Sequence, residues 1–160
     1  MISIKNKISL VTGASRGIGK SISLSLLDAG AIVVGTAFDE KKLNIFAETL
    51  PSNFRNNFFP IAADLKIDEN IINLCSTIKK KFGNPEIIIN NAGIMVFELL
   101  NDITNDMLKS SYEVNVFAPF KITREFVPAM IENKWGRIIN ICSSSSYFGG
   151  GTPKHCLYTG

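Results

Sequence analysis

Five short apolar runs, rich in β-branched residues, most constrain the fold of this chain. They are "ISLVT" (8–12), "AIVVG" (31–35), "FFPIAA" (58–63), "EIIIN" (86–90) and "RIINIC" (137–142). Continuous apolar runs of this length are typical of strands that are buried on both faces. The segments between them are long enough for helices. The alternation predicts an α/β fold, a doubly wound parallel sheet with helices on both faces, formed by one domain over residues 1–160.

Composition excludes several classes of function. The net charge is only +3 over 160 residues, and the basic residues form short groups rather than a block, so neither nucleic acid nor a membrane surface is indicated. The three cysteines lack paired metal-ligand spacing, which predicts free thiols and no metal site. With no signal peptide and no apolar run of bilayer length, we expect a cytoplasmic protein.

Two segments test the prediction of helices. "SISLSLL" (21–27) alternates with the period of a strand, but Ile18, Ile22, Leu26 and Ala29 also form a helical stripe that Gly30 is well placed to end. We therefore expect a helix there. A second helix is expected to begin near an N-cap at Asp68, to end at Gly83, and to bury Ile71, Cys75, Ile78 and Phe82.

A glycine-rich turn, Thr12-Gly13-Ala14-Ser15-Arg16-Gly17-Ile18-Gly19, lies between the first strand and the first helix. Glycines at such a turn let the backbone bend tightly and let a pyrophosphate approach, and the helix N-terminus then offers unpaired N–H groups to the phosphates. The position favours dinucleotide binding over a purely structural turn.

The spacing Gly-x-x-x-Gly-x-Gly resembles that of the short-chain dehydrogenase/reductase family, and the turn with its arginine looks like that of 3-oxoacyl carrier-protein reductases. Further matching motifs follow in order: "NNAG" (90–93), "YEVNVFAPF" (112–120), "GRIINICS" (136–143) and then Tyr158. The resemblance implies a Rossmann fold that binds NAD(P), and an oxidoreductase that transfers hydride between the cofactor and a small carbonyl or alcohol substrate.

The resemblance also implies which residues bind the cofactor. They are Gly13, Ser15, Arg16, Gly17, Ile18 and Gly19 in the turn, Asp64 and Leu65 beside the adenine, and Asn91, Ala92 and Gly93 after the fourth strand. Sites that prefer NAD usually carry a carboxylate at the end of the second strand, where this chain has Ala37, and Asp39 is better placed to cap the next helix. Arg16 could bind a 2′-phosphate. NADP is therefore predicted over NAD.

The catalytic residues implied by the family are Tyr158, a serine and Asn115. The tyrosine exchanges a proton with the substrate oxygen, and the family places a lysine four residues later, at position 162. Strand register selects Ser143 as the serine, whereas the usual family spacing selects Ser145. Pro119 lacks the N–H that would bond the carbonyl of Asn115, so a helix kink with a freed carbonyl is expected, which matches the family's use of this asparagine.

Two interpretations of the whole chain remain. In one, it is the N-terminal portion of an active reductase that forms a homodimer or homotetramer, with the fold truncated after the fifth strand. In the other, it is a truncated or decayed nucleotide-binding remnant without turnover. In either case the fifth strand is expected to be an exposed edge that promotes self-association.

Overall fold

The computed structural model describes residues 3–148, 152, 154 and 157. The strands are Ile8–Thr12 (β1), Ile32–Ala37 (β2), Phe58–Ala62 (β3), Ile87–Asn90 (β4) and Arg137–Asn140 (β5). The helices are Gly17–Asp28 (α1), Glu40–Thr49 (α2), Ser52–Arg55 (α3), Asp68–Phe82 (α4), Asn105–Tyr112 (α5), Ala118–Glu132 (α6) and Ser145–Phe148 (α7). A 3₁₀ turn, Leu100–Asp102, precedes α5, and a π-helical turn, Glu113–Phe117, joins α5 to α6. Every predicted strand is present, with ends displaced by no more than two residues.

The five strands form one parallel sheet in the order β3-β2-β1-β4-β5. The chain runs outward from β1 to β3 and then returns to β4 on the other side, so the order reverses between β1 and β4. Thr12 pairs with Thr36 across β1 and β2, and Asn90 pairs with Asn140 across β4 and β5. The predicted doubly wound α/β sheet is thus confirmed, and its reversal point places the loops after β1 and β4 next to each other.

Alternate residues of the strands feed two separate hydrophobic cores, one on each face of the sheet. Leu10, Val34 and Ile88 point to one face, where they pack with residues of α4 and α6. Val11, Val33, Ile87 and Ile89 point to the other, where they pack with residues of α1 and α2. Both faces of the central strands are therefore covered, which explains why these strands are apolar throughout rather than alternating.

The ambiguous segment 21–27 is helical, but the expected apolar stripe of α1 was wrong in part. The buried face consists of Gly19, Ser23 and Leu27, whereas Ile18 is 61% exposed. Ser23 can be buried because its hydroxyl donates to the carbonyl of Gly19 at 2.8 Å. Small residues let α1 approach the sheet closely, and this leaves the larger side chains at its margin.

Two glycines end helices as predicted. Gly30 has φ of +82°, and the N–H groups of Gly30 and Ala31 donate to the carbonyls of Leu27 and Leu26. Gly83, with φ of +91°, caps α4. Asp68 is the first residue of α4 rather than its N-cap, which is Ile67. A carboxylate in the first turn still stabilises the helix through the N-terminal dipole.

Strand β5 is an edge of the sheet within the described residues, and its side chains are exposed. Ile139 is 46% exposed, in contrast to the buried Ile89 with which it pairs on β4. This agrees with the expectation of an unprotected fifth strand. In the described part of the chain, no helix is both long and apolar enough to cross a bilayer.

Candidate functional site

Most of the predicted site residues that the structure describes lie at the carboxyl edge of the sheet, whereas Asn115 lies between α5 and α6. The glycine turn follows β1, Phe38 and Asp39 follow β2, and Asp64 and Leu65 follow β3. Asn91 begins the loop after β4, and Ser143 follows β5. Because all five strands are parallel, these loops share one edge, where ligands bind in open α/β sheets.

Thr12 connects the glycine turn to the loop after β4. Its hydroxyl oxygen accepts hydrogen bonds from the backbone N–H groups of Asn91 at 3.0 Å and Ala92 at 2.9 Å, and it donates to the carbonyl of Ile89 at 3.3 Å. The Asn91 amide nitrogen donates back to the carbonyls of Thr12 at 2.9 Å and Gly13 at 3.3 Å. Five hydrogen bonds therefore hold these two loops in a fixed relation.

Two glycines of the turn are required by close contacts. At Gly13, which has φ of +69°, a Cβ atom would lie 2.8 Å from the Asn91 amide nitrogen and 3.0 Å from Cα of Ala92. At Gly19, a Cβ would collide with the carbonyl oxygen of Gly13. Gly17 differs, because space is open around it and its φ of +55° alone favours glycine. The turn can therefore pack against α1 and the Asn91 loop only if positions 13 and 19 carry no Cβ atom.

The first turn of α1 is open to a ligand. Arg16 occupies the N-cap position in an extended conformation, makes no side-chain cap, and no acidic residue lies in the first turn. The guanidinium of Arg16 is exposed and makes no hydrogen bond or ion pair within the described residues. The helix start thus combines uncapped N–H groups, a positive dipole end and an exposed cation, which are the features that bind phosphate.

The ends of β2 and β3 form an adjoining wall. Ala37 is buried, and Phe38, the next residue, is 73% exposed. Asp39 caps α2 as predicted, because its carboxylate accepts from the backbone N–H of Lys42 at 2.9 Å and lies 2.8 Å from the Lys42 ammonium. These hydrogen bonds from Lys42 lower the pKa of Asp39. The carboxylate of Asp39, two positions after β2, is therefore engaged in a helix cap.

Asp64 and Leu65 are oriented differently from each other. Leu65 is buried in the core with α4, so only its main chain is available at the sheet edge. Asp64 is half-buried and accepts a hydrogen bond from the backbone N–H of Lys66 at 3.0 Å. Any contact of Leu65 with an adenine would therefore be made by its backbone.

Asn115 lies in the π-helical turn that separates α5 from α6. Its side chain makes two hydrogen bonds to the backbone of Ile94, donating to the carbonyl at 2.8 Å and accepting from the N–H at 2.9 Å. The N–H of Ala118 bonds to the carbonyl of Glu113, five residues earlier, and Pro119 follows in the first turn of α6. The predicted disruption at Pro119 is thus present as a widened turn. The side-chain bonds, which brace the loop containing Gly93, were not foreseen.

The two candidate serines lie next to each other. Ser143 and Ser145 are both half-buried, and the hydroxyl of Ser143 accepts from the backbone N–H of Ser145 at 3.2 Å. Strand pairing continues to Ile141, whose N–H donates to the carbonyl of Asn90 at 2.9 Å, so Ser143 follows the last paired residue by two positions. Tyr158 lies outside the described residues. Among the residues that are described, no cluster of three His, Cys, Asp or Glu side chains could hold a metal ion.

Comparison with known proteins identifies the family. The model of the short chain dehydrogenase family matches residues 7–159. The chain belongs to the short chain dehydrogenase family. The 3-oxoacyl-(acyl-carrier-protein) reductase FabG of Pseudomonas aeruginosa is 36% identical over 142 residues, which are 89% of this chain and 57% of that protein. The chain thus spans little more than half the length of this curated relative.

Solved structures of short chain dehydrogenases share the fold. A metagenomic short-chain oxidoreductase in complex with NADP has a TM-score of 0.88 and 32% identity, covering 99% of this chain and 70% of that one. L-sorbose reductase from Gluconobacter frateurii, complexed with NADPH and L-sorbose, has a TM-score of 0.90 and 25% identity, covering 98% and 59%. The sheet and its flanking helices are therefore those of a Rossmann-like short chain dehydrogenase.

One residue of the site was missed by sequence reasoning. Thr12 was noted only as the start of the glycine turn, although its hydroxyl joins β1 to the Asn91 loop, about 80 positions later in the chain. The available signal was a hydroxyl at the last position of an otherwise apolar strand. A buried polar group at the end of a strand requires a partner, and the adjacent loop after β4 offers one.

Proposed function

We propose that this chain is the cofactor-binding part of an oxidoreductase that transfers hydride between NADP(H) and a small carbonyl or alcohol substrate. The observation that carries the proposal is the open, acid-free first turn of α1, held by glycines that admit no Cβ. A pyrophosphate fits this arrangement because main-chain N–H groups and the helix dipole face the space in front of the turn. Residues 1–160 then form a single NAD(P)-binding domain.

Cofactor binding is assigned to residues from three loops. Gly13, Ser15, Gly17, Ile18 and Gly19 would surround the phosphates through their main chain. Asp64 and Leu65 would lie beside the adenine, and Asn91, Ala92 and Gly93 would line the nicotinamide half. The braces from Thr12 and Asn115 support this assignment, because they hold the last three residues beside the glycine turn.

Two features of the charge distribution support NADP over NAD. Arg16 supplies an exposed, unpaired cation among the described residues. At the end of β2, where a carboxylate would select NAD, the chain has Ala37, and the nearby carboxylate of Asp39 is bonded to Lys42. A guanidinium can bind a 2′-phosphate through two N–H groups, and a nearby carboxylate would repel that phosphate.

The catalytic step is assigned to Tyr158, with Ser143 or Ser145 and Asn115. When bound beside these residues, a nicotinamide would supply or accept the hydride. The phenol of Tyr158 exchanges a proton with the substrate oxygen, and the serine hydroxyl donates a hydrogen bond to that oxygen. Asn115 offers a main-chain carbonyl beside Pro119 for an ordered water. The complete protein is proposed to be cytoplasmic and to form a homodimer or homotetramer.

Titration with NADPH, followed by the change in its fluorescence, tests the binding half of this proposal. Arg16→Ala should weaken NADPH binding by about tenfold, as expected for loss of one charge-assisted contact, and should leave NADH binding within about twofold. The matched control is Arg124→Ala, which removes an exposed arginine of α6 that lies beside Phe120. Equal effects of the two substitutions would contradict the role of Arg16.

Turnover tests the catalytic half. In the complete protein, Tyr158→Phe should abolish carbonyl reduction with NADPH while leaving NADPH affinity nearly unchanged, because the phenol acts on the substrate rather than on the phosphates. Retained turnover would refute the role of Tyr158. A complete protein that binds NADPH but turns over no carbonyl would instead favour the alternative of a nucleotide-binding protein that is not itself an enzyme.

A further inference from the structure

Lys66, which neither the motifs nor the family pattern singles out, lies at the same wall as Phe38. It follows β3 by four positions, and its ammonium lies 5.8 Å from the centre of the Phe38 ring, which follows β2. The side chain therefore extends from one loop to the neighbouring strand end. This distance is within the range of a cation–π contact.

The ammonium of Lys66 is available to a ligand. Its nearest carboxylate oxygen, on Asp64, is 3.9 Å away, and the Lys66 side chain is 45% exposed. Lys42, by comparison, lies 2.8 Å from Asp39 and takes part in a helix cap. The Lys66 ammonium is therefore less closely paired than that of Lys42.

The exposed ring of Phe38 accounts for the position of the Lys66 side chain. The preceding residues of β2 are buried, yet the Phe38 ring is largely exposed at the sheet edge and belongs to neither core. An exposed aromatic ring at a ligand-binding edge offers its face to a cation or to a planar ligand. The Lys66 ammonium lies over this ring. Phe38 also follows β2, which pairs with β1, and β1 leads into the turn that contains Arg16.

We propose that Lys66 is a specificity-determining residue that binds, together with Arg16, a phosphate at the 2′ position of the cofactor's adenosine. Phe38 is the positioning residue that holds the Lys66 side chain at the end of β2. The inference rests on the proposed function, because it adds a second cation to the NADP site. It predicts that the discrimination between NADP and NAD comes from two loops, the glycine turn and the loop after β3.

The experiment compares two half-cofactors that differ only in the 2′-phosphate, 2′,5′-ADP and 5′-AMP, by isothermal titration calorimetry on the chain. Lys66→Ala should weaken 2′,5′-ADP binding by about tenfold and change 5′-AMP binding by less than about twofold. The matched control is Lys79→Ala. Lys79 has the same kind of neighbours, with its ammonium 5.6 Å from the Phe126 ring centre and paired with Glu125, but it lies between α4 and α6.

A second variant separates direct contact of Lys66 with the phosphate from neutralisation of the Asp64 carboxylate. In an Asp64→Asn background, Lys66→Ala should still weaken 2′,5′-ADP binding if the ammonium contacts the phosphate. No further loss in that background would overturn the proposal. Phe38→Ala should weaken 2′,5′-ADP binding by less than Lys66→Ala does. Phe38→Trp should keep the wild-type affinity, because tryptophan retains the aromatic face.

The outcomes distinguish this inference from the proposed function. If the wild-type chain prefers 2′,5′-ADP but Lys66→Ala behaves like Lys79→Ala, the role of Lys66 is wrong and the NADP preference stands. If the wild-type chain binds both nucleotides equally, both the NADP preference and the role of Lys66 are wrong. If it binds neither, with a native circular dichroism spectrum, the nucleotide site itself is refuted.

Discussion

Thr12 and Thr36 are neighbours in the sheet register, yet only the hydroxyl of Thr12 has hydrogen-bond partners. Both side chains are almost completely buried. Thr12 bonds to Ile89, Asn91 and Ala92, whereas the Thr36 hydroxyl has no partner in the described structure. The same residue type is therefore expected to stabilise the chain at position 12 and to destabilise it at position 36.

Thr12→Val should lower the free energy of unfolding by about 2–4 kcal/mol, because two backbone N–H groups lose their acceptor in a partly buried loop. Urea denaturation followed by circular dichroism measures this. NADPH binding should weaken in parallel, since Asn91 is no longer held beside Gly13.

Thr36→Val is the matched control, with the same change of atoms at the paired position. It should be neutral or stabilise the chain by up to about 1 kcal/mol, because it removes a buried hydroxyl that has no partner. Similar losses in both variants would show that the hydrogen bonds of Thr12 contribute little beyond packing.

Asn115→Ala should destabilise the chain by about 2 kcal/mol through loss of the two bonds to Ile94. Hydrogen exchange should also become faster at the amide of Ile94, which locates the effect in the loop after β4. Asn73→Ala, at an exposed position of α4, is the control and should be neutral or slightly stabilising, because alanine has the higher helix propensity. Unchanged exchange at Ile94 would contradict the bracing role.

Cys75 should make stability depend on pH above neutrality. Burial, with a smaller effect of the Glu125 carboxylate, raises the pKa of its thiol to about 12. The unfolded chain ionises this thiol near its ordinary value, so the contribution to stability is complete below about pH 8.5 and is lost as the pH rises toward 12. As the pH rises through this range, the free energy of unfolding of the wild type should therefore fall relative to that of Cys75→Ala. The fall should be at most about 1.4 kcal/mol per pH unit. A difference that does not vary between pH 8 and pH 10.5 would contradict it.

The exposed edge at β5 should promote self-association. Ile139 presents an apolar side chain beside unpaired backbone groups, next to the exposed Ile18 and the half-buried Ile22 of α1. Sedimentation velocity should show association that increases with concentration and that Ile139→Lys reduces. Ile72→Lys, at a 65% exposed position of α4, tests whether any added charge would do the same.

Much of the fold could be predicted because its signals are local. Apolar runs located the strands, glycines with positive φ located the ends of α1 and α4, and Asp39 was correctly predicted as a helix cap. These features depend on residues within about five positions of each other. Local chemistry therefore determined the helices and strands.

What could not be predicted depends on contacts between distant segments. The buried face of α1 is set by how closely the helix approaches β1, and this distance reverses the expected roles of Ser23 and Ile18. The hydrogen bonds of Asn115 to Ile94 likewise join residues 21 positions apart. The contact of Lys66 with Phe38 joins residues 28 positions apart. No periodicity in the sequence reports such pairs.

The uncapped first turn of α1 also affects the lifetime of the folded chain. The N-cap residue Arg16 makes no side-chain hydrogen bond to the main-chain N–H groups of this turn, so an anion that binds there adds hydrogen bonds that the free chain makes only with water. Under the proposed function, a nucleotide at a hundred times its dissociation constant would add about 2.7 kcal/mol to the free energy of unfolding. The abundance of this protein in a cell would then follow the supply of its cofactor, since unfolded chains are the ones that proteases remove.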